Sequence, residues 1–406
     1  MIKTLQITGN SAYGGAGYLI LRWCRYLLSQ GWGVDVLATD AYWVSILKTI
    51  PGLRVIEDIY IPRDIAPLKD MQAFLELLRL IRQEDYDVVH TYTATPGFLG
   101  RIAARLVGTP VILHHQAGWT VTEFSPVKER ILYTPLEYLA SLASCKAICV
   151  SHAVEEQAHR LHIAPSRKLI VICNGIEPEP FITATRDNSR EILRHEWGFS
   201  DDHVLIGCSG RLSPQKDNSS LVEAMVHLRT LMPDVPFSLL LAGEGPEREK
   251  VEKIVKNNKL GEQVQLLGFM KDIPAFLATL DVFVSASLWE GMSISILEAM
   301  AAARPIVATS ILPNAELIKH ERTGLLVDPR APQQIAQAVA RFMLEPQLAK
   351  DCGQAARQRV LDQYTLERMF QDTWNLYQDL LSRNEHKEQT QRLMRENTQR
   401  GVPDER

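Results

Sequence analysis

Asp281–Ser310 reads DVFVSASLWEGMSISILEAMAAARPIVATS, and its patterning decides the fold. Asp281 to Ser285 is a short apolar run of the kind that fills a buried parallel strand. Residues 287–292 are loop-like and carry Trp289, Glu290 and Gly291. From Ser293 to Ala303 the spacing turns helical, with Ile294, Leu297, Met300 and Ala301 on one face. Arg304-Pro305 stops the helix, and Ile306 to Ala308 reads as the next strand. Such strand–loop–helix–strand units build parallel sheets. Ligands bind these sheets at the carboxyl ends of the strands, which places a site at 287–293.

Two carboxylates sit in this unit, Glu290 in the loop and Glu298 early in the helix, with seven residues between them. The helix N-terminus aims backbone N–H groups at any anion beside it, such as a phosphate. A carboxylate accepts two hydroxyl hydrogen bonds, as a sugar diol requires. The plainer reading is a capping box, Ser295-x-x-Glu298, in which Glu298 only starts the helix. Further upstream, Arg211 and Lys216 stand five apart in a loop that follows strand 204–208 and precedes a helix. They read either as a diphosphate clamp, bidentate from Arg and a point charge from Lys, or as two solvated surface cations.

EGMSISILEAMAAARPIVATS resembles the E-x7-E signature of retaining GT-B glycosyltransferases of the large family-four type. That family includes sucrose synthases and bacterial mannosyl- and N-acetylglucosaminyltransferases. The resemblance runs in register through G-R-L-x-x-x-K at 210–216, GEGP at 243–246, GFM at 268–270, NAELI at 314–318 and TGLLV at 323–327. VICNGIE at 171–177 is similar to the family's closing turn of the first domain. The implied fold is α/β, with two Rossmann-like doubly wound domains facing across a cleft and a C-terminal helix crossing back to the first. The implied boundaries are 1–175 for an acceptor-side domain with 365–383 packing back on it, 176–202 for a linker, 203–364 for a nucleotide-sugar domain and 384–406 for a polar, fraying tail. By resemblance, Glu298 holds the ribose hydroxyls and Glu290 lies near the transferred sugar. Arg211 and Lys216 bind the diphosphate, and Met270 meets the base through its backbone. Gly14 and Gly15 face the donor phosphates and acceptor, while Gly210, Gly245, Gly291, Met292, Ser293 and Ile294 complete the donor contacts.

The N-terminal half has its own signals. Ile2 to Ile7 reads as a strand, GNSAYGGAG at 9–17 as a glycine-rich loop and Tyr18 to Gln30 as a helix. Glycines let backbone approach an anion closely, although a plain tight turn has the same composition. A dinucleotide fingerprint would read G-x-G-x-x-G with an acidic residue roughly 20 further on. Asp40 could serve, but Gly15-x-Gly17 lacks the third glycine. Strand-like and helical pieces alternate from Val34 to Ile172, the pattern of a doubly wound domain. One strand ends in His114, His115, Gln116, Ala117, Gly118 and Trp119. Adjacent histidines point to opposite sheet faces, so at most one reaches a site. The family's corresponding stretch often reads H-T-V-H-G-F/W. His114 matches its first His, while Ala117 stands where its second His falls, leaving His115 or Gln116 open as a replacement. Leu312-Pro313 and Arg304 also replace glycines of the family pattern.

At 406 residues and net charge −4 the chain has room for two or three domains and no basic excess for nucleic acid. The six cysteines are scattered without a CxxC pair, which suits free thiols in a reducing cytoplasm. A strand at the start leaves no place for a signal peptide, and no run of about 18 apolar residues suggests a membrane span. The resemblance implies transfer of a sugar, with retention, from a nucleotide sugar of the UDP type to an acceptor hydroxyl. Cell-surface polysaccharide or glycolipid synthesis is the implied setting. No D-x-D pair is placed to hold a divalent ion, so no metal or other cofactor is expected. The expected partners are the nucleotide sugar and a sugar or lipid-linked sugar acceptor. A lipid-linked acceptor adds peripheral contact with the inner face of the plasma membrane. A nucleotide-sugar epimerase of the same architecture, or a non-catalytic nucleotide-sugar sensor with Ala117 marking lost activity, are the alternatives.

Overall fold

Short buried apolar strands alternate with amphipathic helices along the chain and assemble two parallel sheets. The computed structural model describes residues 1–10, 14–62, 66–122, 125–186 and 189–400. The chain divides into two units. One comprises Met1–Val150, Val154–Ile172 and Phe370–Arg406, and the other Ser151–Ala153 and Cys173–Met369.

The first unit runs β1 (Lys3–Gly9), α1 (Gly15–Ser29), β2 (Gly33–Ala38), α2 (Ala41–Leu47), β3 (Leu53–Ile56), α3 (Pro67–Glu84), β4 (Val88–Tyr92), α4 (Ala94–Val107), β5 (Val111–Gln116), α5 (Val127–Ala143), β6 (Lys146–Cys149), α6 (His152–Arg160) and β7 (Leu169–Val171). Its strand order is β3-β2-β1-β4-β5-β6-β7, all parallel. The order therefore reverses between β1 and β4, where Leu5 pairs Val89. Right-handed crossovers then put α1 and α2 on one face of the sheet and α3, α4 and α5 on the other. Leu5, Ile7, Leu77, Ile81 and Val89 are buried together in its core. Burying such a side chain stabilises by about 1.5–3 kcal/mol.

The second unit carries α7 (Glu179–Arg186), α8 (Ser189–Glu196), β8 (Val204–Ser209), α9 (Asn218–Leu231), β9 (Phe237–Ala242), α10 (Arg248–Asn257), β10 (Val264–Gly268), α11 (Ile273–Thr279), β11 (Val282–Ser285), α12 (Ile294–Ala301), β12 (Ile306–Thr309), α13 (Leu312–Leu317), β13 (Leu325–Val327), α14 (Pro332–Leu344) and α15 (Pro346–Gln363). The order β10-β9-β8-β11-β12-β13 reverses between β8 and β11. Every residue of β9 is buried, as a strand covered on both faces must be. The last helix, α16 (Leu366–Arg400), enters the first unit from Phe370 onward. There Phe370, Trp374 and Tyr377 pack on Trp23, Tyr26 and Trp32, with ring centroids 5.1–5.9 Å apart.

The linker expected at 176–202 is not seen. Residues 176–202, read as a linker from their prolines and charges, carry α7 and α8 and belong to the second unit. The reason is an electrostatic clamp. Arg190 and Arg194, one turn apart on α8, donate to the two oxygens of Asp281 at 2.5 and 3.1 Å. Residues 384–400, expected to fray, continue the helix α16. The tail sequence is rich in Glu, Gln, Lys and Arg, good helix formers, and has no Gly or Pro before Gly401. Residues 401–406 lie outside the described residues. No described helix is long and apolar enough to cross a membrane.

Candidate functional site

In an open parallel sheet the crevice lies where the strand order reverses, at the carboxyl ends of the two strands involved. The second unit places the loops after β8 and β11 there, and these hold most of the sequence-predicted residues. The two loops are tied directly. The Leu288 N–H donates to the Gln215 carbonyl at 2.8 Å, and Gln215 Nε2 returns to the Trp289 carbonyl at 2.8 Å. Across this junction Lys216 Nζ pairs with Glu290 Oε1 at 2.5 Å. Ser287 Oγ also donates to Glu290 Oε1, at 2.8 Å, and Gln215 Nε2 to Oε2, at 3.2 Å. Glu290 is thus a largely buried carboxylate fixed by three donors. Below it, Thr309 Oγ1 donates to the Ser287 carbonyl at 2.5 Å, and Asn314 Nδ2 to the Thr309 carbonyl at 3.0 Å.

Glu298 is partly buried on the second turn of α12. Burial pushes its carboxyl up to about 7, against the opposing pull of the Lys216 charge. Lys216 therefore acts on both carboxylates. The alternative reading, a Ser295–Glu298 capping box, does not form. Ser293 is the N-cap, its Oγ accepting from the Ile296 N–H at 3.4 Å, and Glu298 lies beyond reach of the cap. That frees Glu298 from a purely structural task. Met292 and Ser293 are buried, whereas Gly291 and Ile294 are partly exposed.

The loops after β8, β9 and β10 pack backbone to backbone beside these groups. The Gly210 N–H donates to the Ala242 carbonyl at 2.9 Å, and the Leu212 N–H to the Glu244 carbonyl at 3.0 Å. A Cβ on Gly243 would lie 1.9 Å from the Gly210 carbonyl oxygen, and one on Gly245 would lie 2.2 Å from that of Leu212. Only glycine permits this approach. Gly243 also bridges to Gly268, which brings Phe269, exposed, and Met270, partly exposed, to the same edge. Arg211 is exposed and has no ion pair among the described residues. Ser209 Oγ, Asn218 Nδ2 and Ser219 Oγ are buried without a protein partner at the end of β8 and the first turn of α9. This corner therefore has Lys216, Arg211, spare donors and a helix N-terminus, which together suit an anion. Ser287, Gln215 and the unpartnered Ser209 escaped the sequence reading. Their polar type beside Glu290, Lys216 and Gly210 was the signal.

In the first unit the reversal point is equally shaped. Thr8, Ala16, Gly17, Ile20, Trp43, Tyr92, Thr93, His115 and Ala117 line a small, mainly apolar pocket. Gly14 is the N-cap of α1 and Gly15 its first residue, both exposed. Residues 11–13 of the glycine-rich loop lie outside the described residues. Thr93 holds φ +62°, a strained value for a β-branched residue, where β4 turns into α4. His115 and Ala117 share the pocket, as their two-residue spacing demands. His114 faces the other way. It is buried against Gly97 of α4, with Nδ1 2.8 Å from Thr91 Oγ1, and burial followed by the Arg101 charge holds it well below the usual imidazole range. Gln116 donates to the Gly118 carbonyl. Behind the pocket, His90 stacks on Tyr92 at 4.6 Å, and its Nδ1 lies 2.6 Å from the Tyr377 hydroxyl. Asp40 caps α2 by accepting from the Trp43 N–H at 2.8 Å, so it already has a structural role. Among the described residues, no three His, Cys, Asp or Glu side chains gather as a metal-binding group.

Residues 189–359 match the family described as glycosyl transferases group 1, and residues 13–180 match the one described as glycosyltransferase family 4. The chain is similar to the UDP-Gal:alpha-D-GlcNAc-diphosphoundecaprenol alpha-1,3-galactosyltransferase of Escherichia coli. The two are 30% identical over 324 residues, 79% of this chain and 82% of that protein. Among solved structures, a glycosyltransferase from Rickettsia africae aligns with TM-score 0.79 and 21% identity over 94% of this chain and 98% of that one. Anabaena HepE in complex with UDP and glucose aligns with TM-score 0.79 and 19% identity over 93% of this chain and 100% of that one.

Proposed function

The chain belongs to the group 1 glycosyltransferases, and from that premise we propose that it is a retaining, metal-independent enzyme moving a sugar from a UDP-linked donor to a lipid-linked sugar acceptor. The observation that carries the reading is the Lys216–Glu290 pair beside Glu298, at the reversal between β8 and β11. The departing diphosphate gains negative charge as its bond to the sugar breaks. Lys216 and Arg211, with the donors at the start of α9, neutralise that charge. These are cations of the chain itself, so the reading calls for no divalent ion. Glu298 accepts from the ribose hydroxyls, as the resemblance implied. Glu290, held rigid by three donors, positions and polarises the transferred sugar.

Two points support the choice of substrates. The Escherichia coli relative is described as using UDP-Gal and a diphosphoundecaprenol-linked acceptor. In the first unit we place the acceptor beside the pocket lined by His115 and Ala117, with His115 as its imidazole. A lipid-linked acceptor makes the protein a peripheral one on the cytoplasmic face of the membrane.

The test is transfer from UDP-sugars to a diphosphoprenyl-linked sugar in the presence of a chelator. Arg211→Ala and Lys216→Ala each lower turnover by about 100-fold or more, the usual cost of losing a charge-stabilising donor. Wild-type activity persists with the chelator. Near-normal turnover in both variants contradicts the clamp.

A further inference from the structure

Helix α5 is turned inside out for a helix on a soluble domain. Its inward face carries Glu137, Ala140 and Ser141, with Glu137 held by Arg101 Nη2 at 3.2 Å and Thr120 Oγ1 at 2.9 Å. Its outward face carries Ile131, Leu132, Tyr138, Leu139 and Leu142, with Ile131 71% and Leu139 56% exposed. Amphipathic helices normally bury such a stripe. In the same layer, α3 packs on α4 and α4 on α5. The first turns of α3 add Leu68, Met71 and Leu75 to the exposed apolar surface. Clusters of large exposed apolar groups mark interaction surfaces.

The charges around them select the partner. On α3, α4 and α5 the exposed charged residues are Lys69, Arg79, Arg82, Arg105, Lys128 and Arg130, against Glu129 alone. Of the other acids on these helices, Asp70 accepts from the Ala66 N–H and Glu76 from Gln72, both acids half-buried, while Glu84 is engaged by Lys3 and Arg54, and Glu137 by Arg101. This outward basic excess stands on a chain of net charge −4. A second copy presenting the same face would meet like charge. Nucleic acid would satisfy the cations and leave the aliphatic groups in water. An anionic lipid surface satisfies both, because apolar side chains enter the acyl boundary while Lys and Arg remain among the headgroups.

We propose that the layer formed by α3, α4 and α5 docks the protein on an anionic membrane surface, with the outward face of α5 inserted. The N-terminal turns of these helices follow the carboxyl ends of β3, β4 and β5, so this surface borders the end of the sheet where the His115 pocket lies. The proposal extends the reading of a lipid-linked acceptor, but its side chains all lie outside the site.

The experiment is flotation of the full chain with phosphatidylcholine vesicles, with and without a third of phosphatidylglycerol. Strong binding to the anionic vesicles and weak binding to the neutral ones is expected. Each basic side chain near such a surface is worth about fivefold in partitioning. The pair Lys128→Ala and Arg130→Ala therefore lowers binding about 25-fold. The pair Ile131→Ser and Leu139→Ser lowers it by about tenfold or more. Circular dichroism and melting temperature stay unchanged in both pairs, because all four residues are exposed. Wild-type protein that stays in the buffer, or variants that bind as tightly as wild type, overturns the proposal. So does a concentration-dependent dimer that Leu139→Ser dissociates, because it assigns the face to a second copy. No donor or acceptor is present in this assay, so its failure is separable from any failure of sugar transfer.

Discussion

Glu298 carries a structural cost at the position proposed to bind the ribose. Its carboxyl sits at about 7 in the folded chain, against an ordinary value of 4.5. The folded state therefore binds a proton that the unfolded state has released, and stability falls as pH rises from about 4.5 to about 7. One pKa unit corresponds to about 1.4 kcal/mol. Glu298→Gln should thus be more stable than wild type at pH 8 by about 1–3 kcal/mol, and the gain should vanish near pH 4.5. Urea unfolding at several pH values checks this. Parallel wild-type and variant curves across that window would contradict the burial argument. A group kept at such a cost fits a function at the same position. Donor affinity should rise with pH through the same range, because only the carboxylate accepts from both ribose hydroxyls.

At the scale of elements, what was legible in the sequence was local. The unit from β11 to β12 was readable because strand, loop and helix succeed each other within thirty residues, each with its own period. Glu290 and Lys216 were named separately. Their ion pair joins residues 74 positions apart, and no spacing rule gives it. The opposite faces of His114 and His115 followed from strand geometry, but which of them lines the pocket required the placement of α4 against His114. Helix α8 was misread because its partner is distant. Arg194 is buried and bonds to Asp281 and to the Thr279 carbonyl, 87 and 85 residues away. Composition alone made the segment look solvated. Removing Arg194 leaves Asp281 paired with Arg190 but takes a charged donor from Asp281 and from the Thr279 carbonyl, and a lost hydrogen bond to a charged group costs about 1.5–3 kcal/mol. Arg194→Ala should therefore lose about that much in urea unfolding of the second unit. A loss below about 1 kcal/mol would return 176–202 to the status of a connection.

For the whole molecule, two doubly wound sheets each reverse strand order once, and each reversal carries candidate site residues. Alternating periods and a family resemblance point to this architecture, and both sheets bear it out. The discontinuity of the first unit, which takes α16 from the other end of the chain, was suggested only by the resemblance. Its physical basis is the aromatic cluster joining Trp23 and Trp32 to Trp374 and Tyr377. In the proposed function the β8/β11 reversal holds a nucleoside diphosphate sugar. Melting of the full chain with UDP, UDP-sugars, GDP, ADP and NAD tests it most directly, because a ligand at 100 times its Kd stabilises by about 2.7 kcal/mol. The expected result is a rise in Tm with UDP and its sugars that Glu298→Ala abolishes. A rise with NAD and none with any nucleoside diphosphate would contradict it.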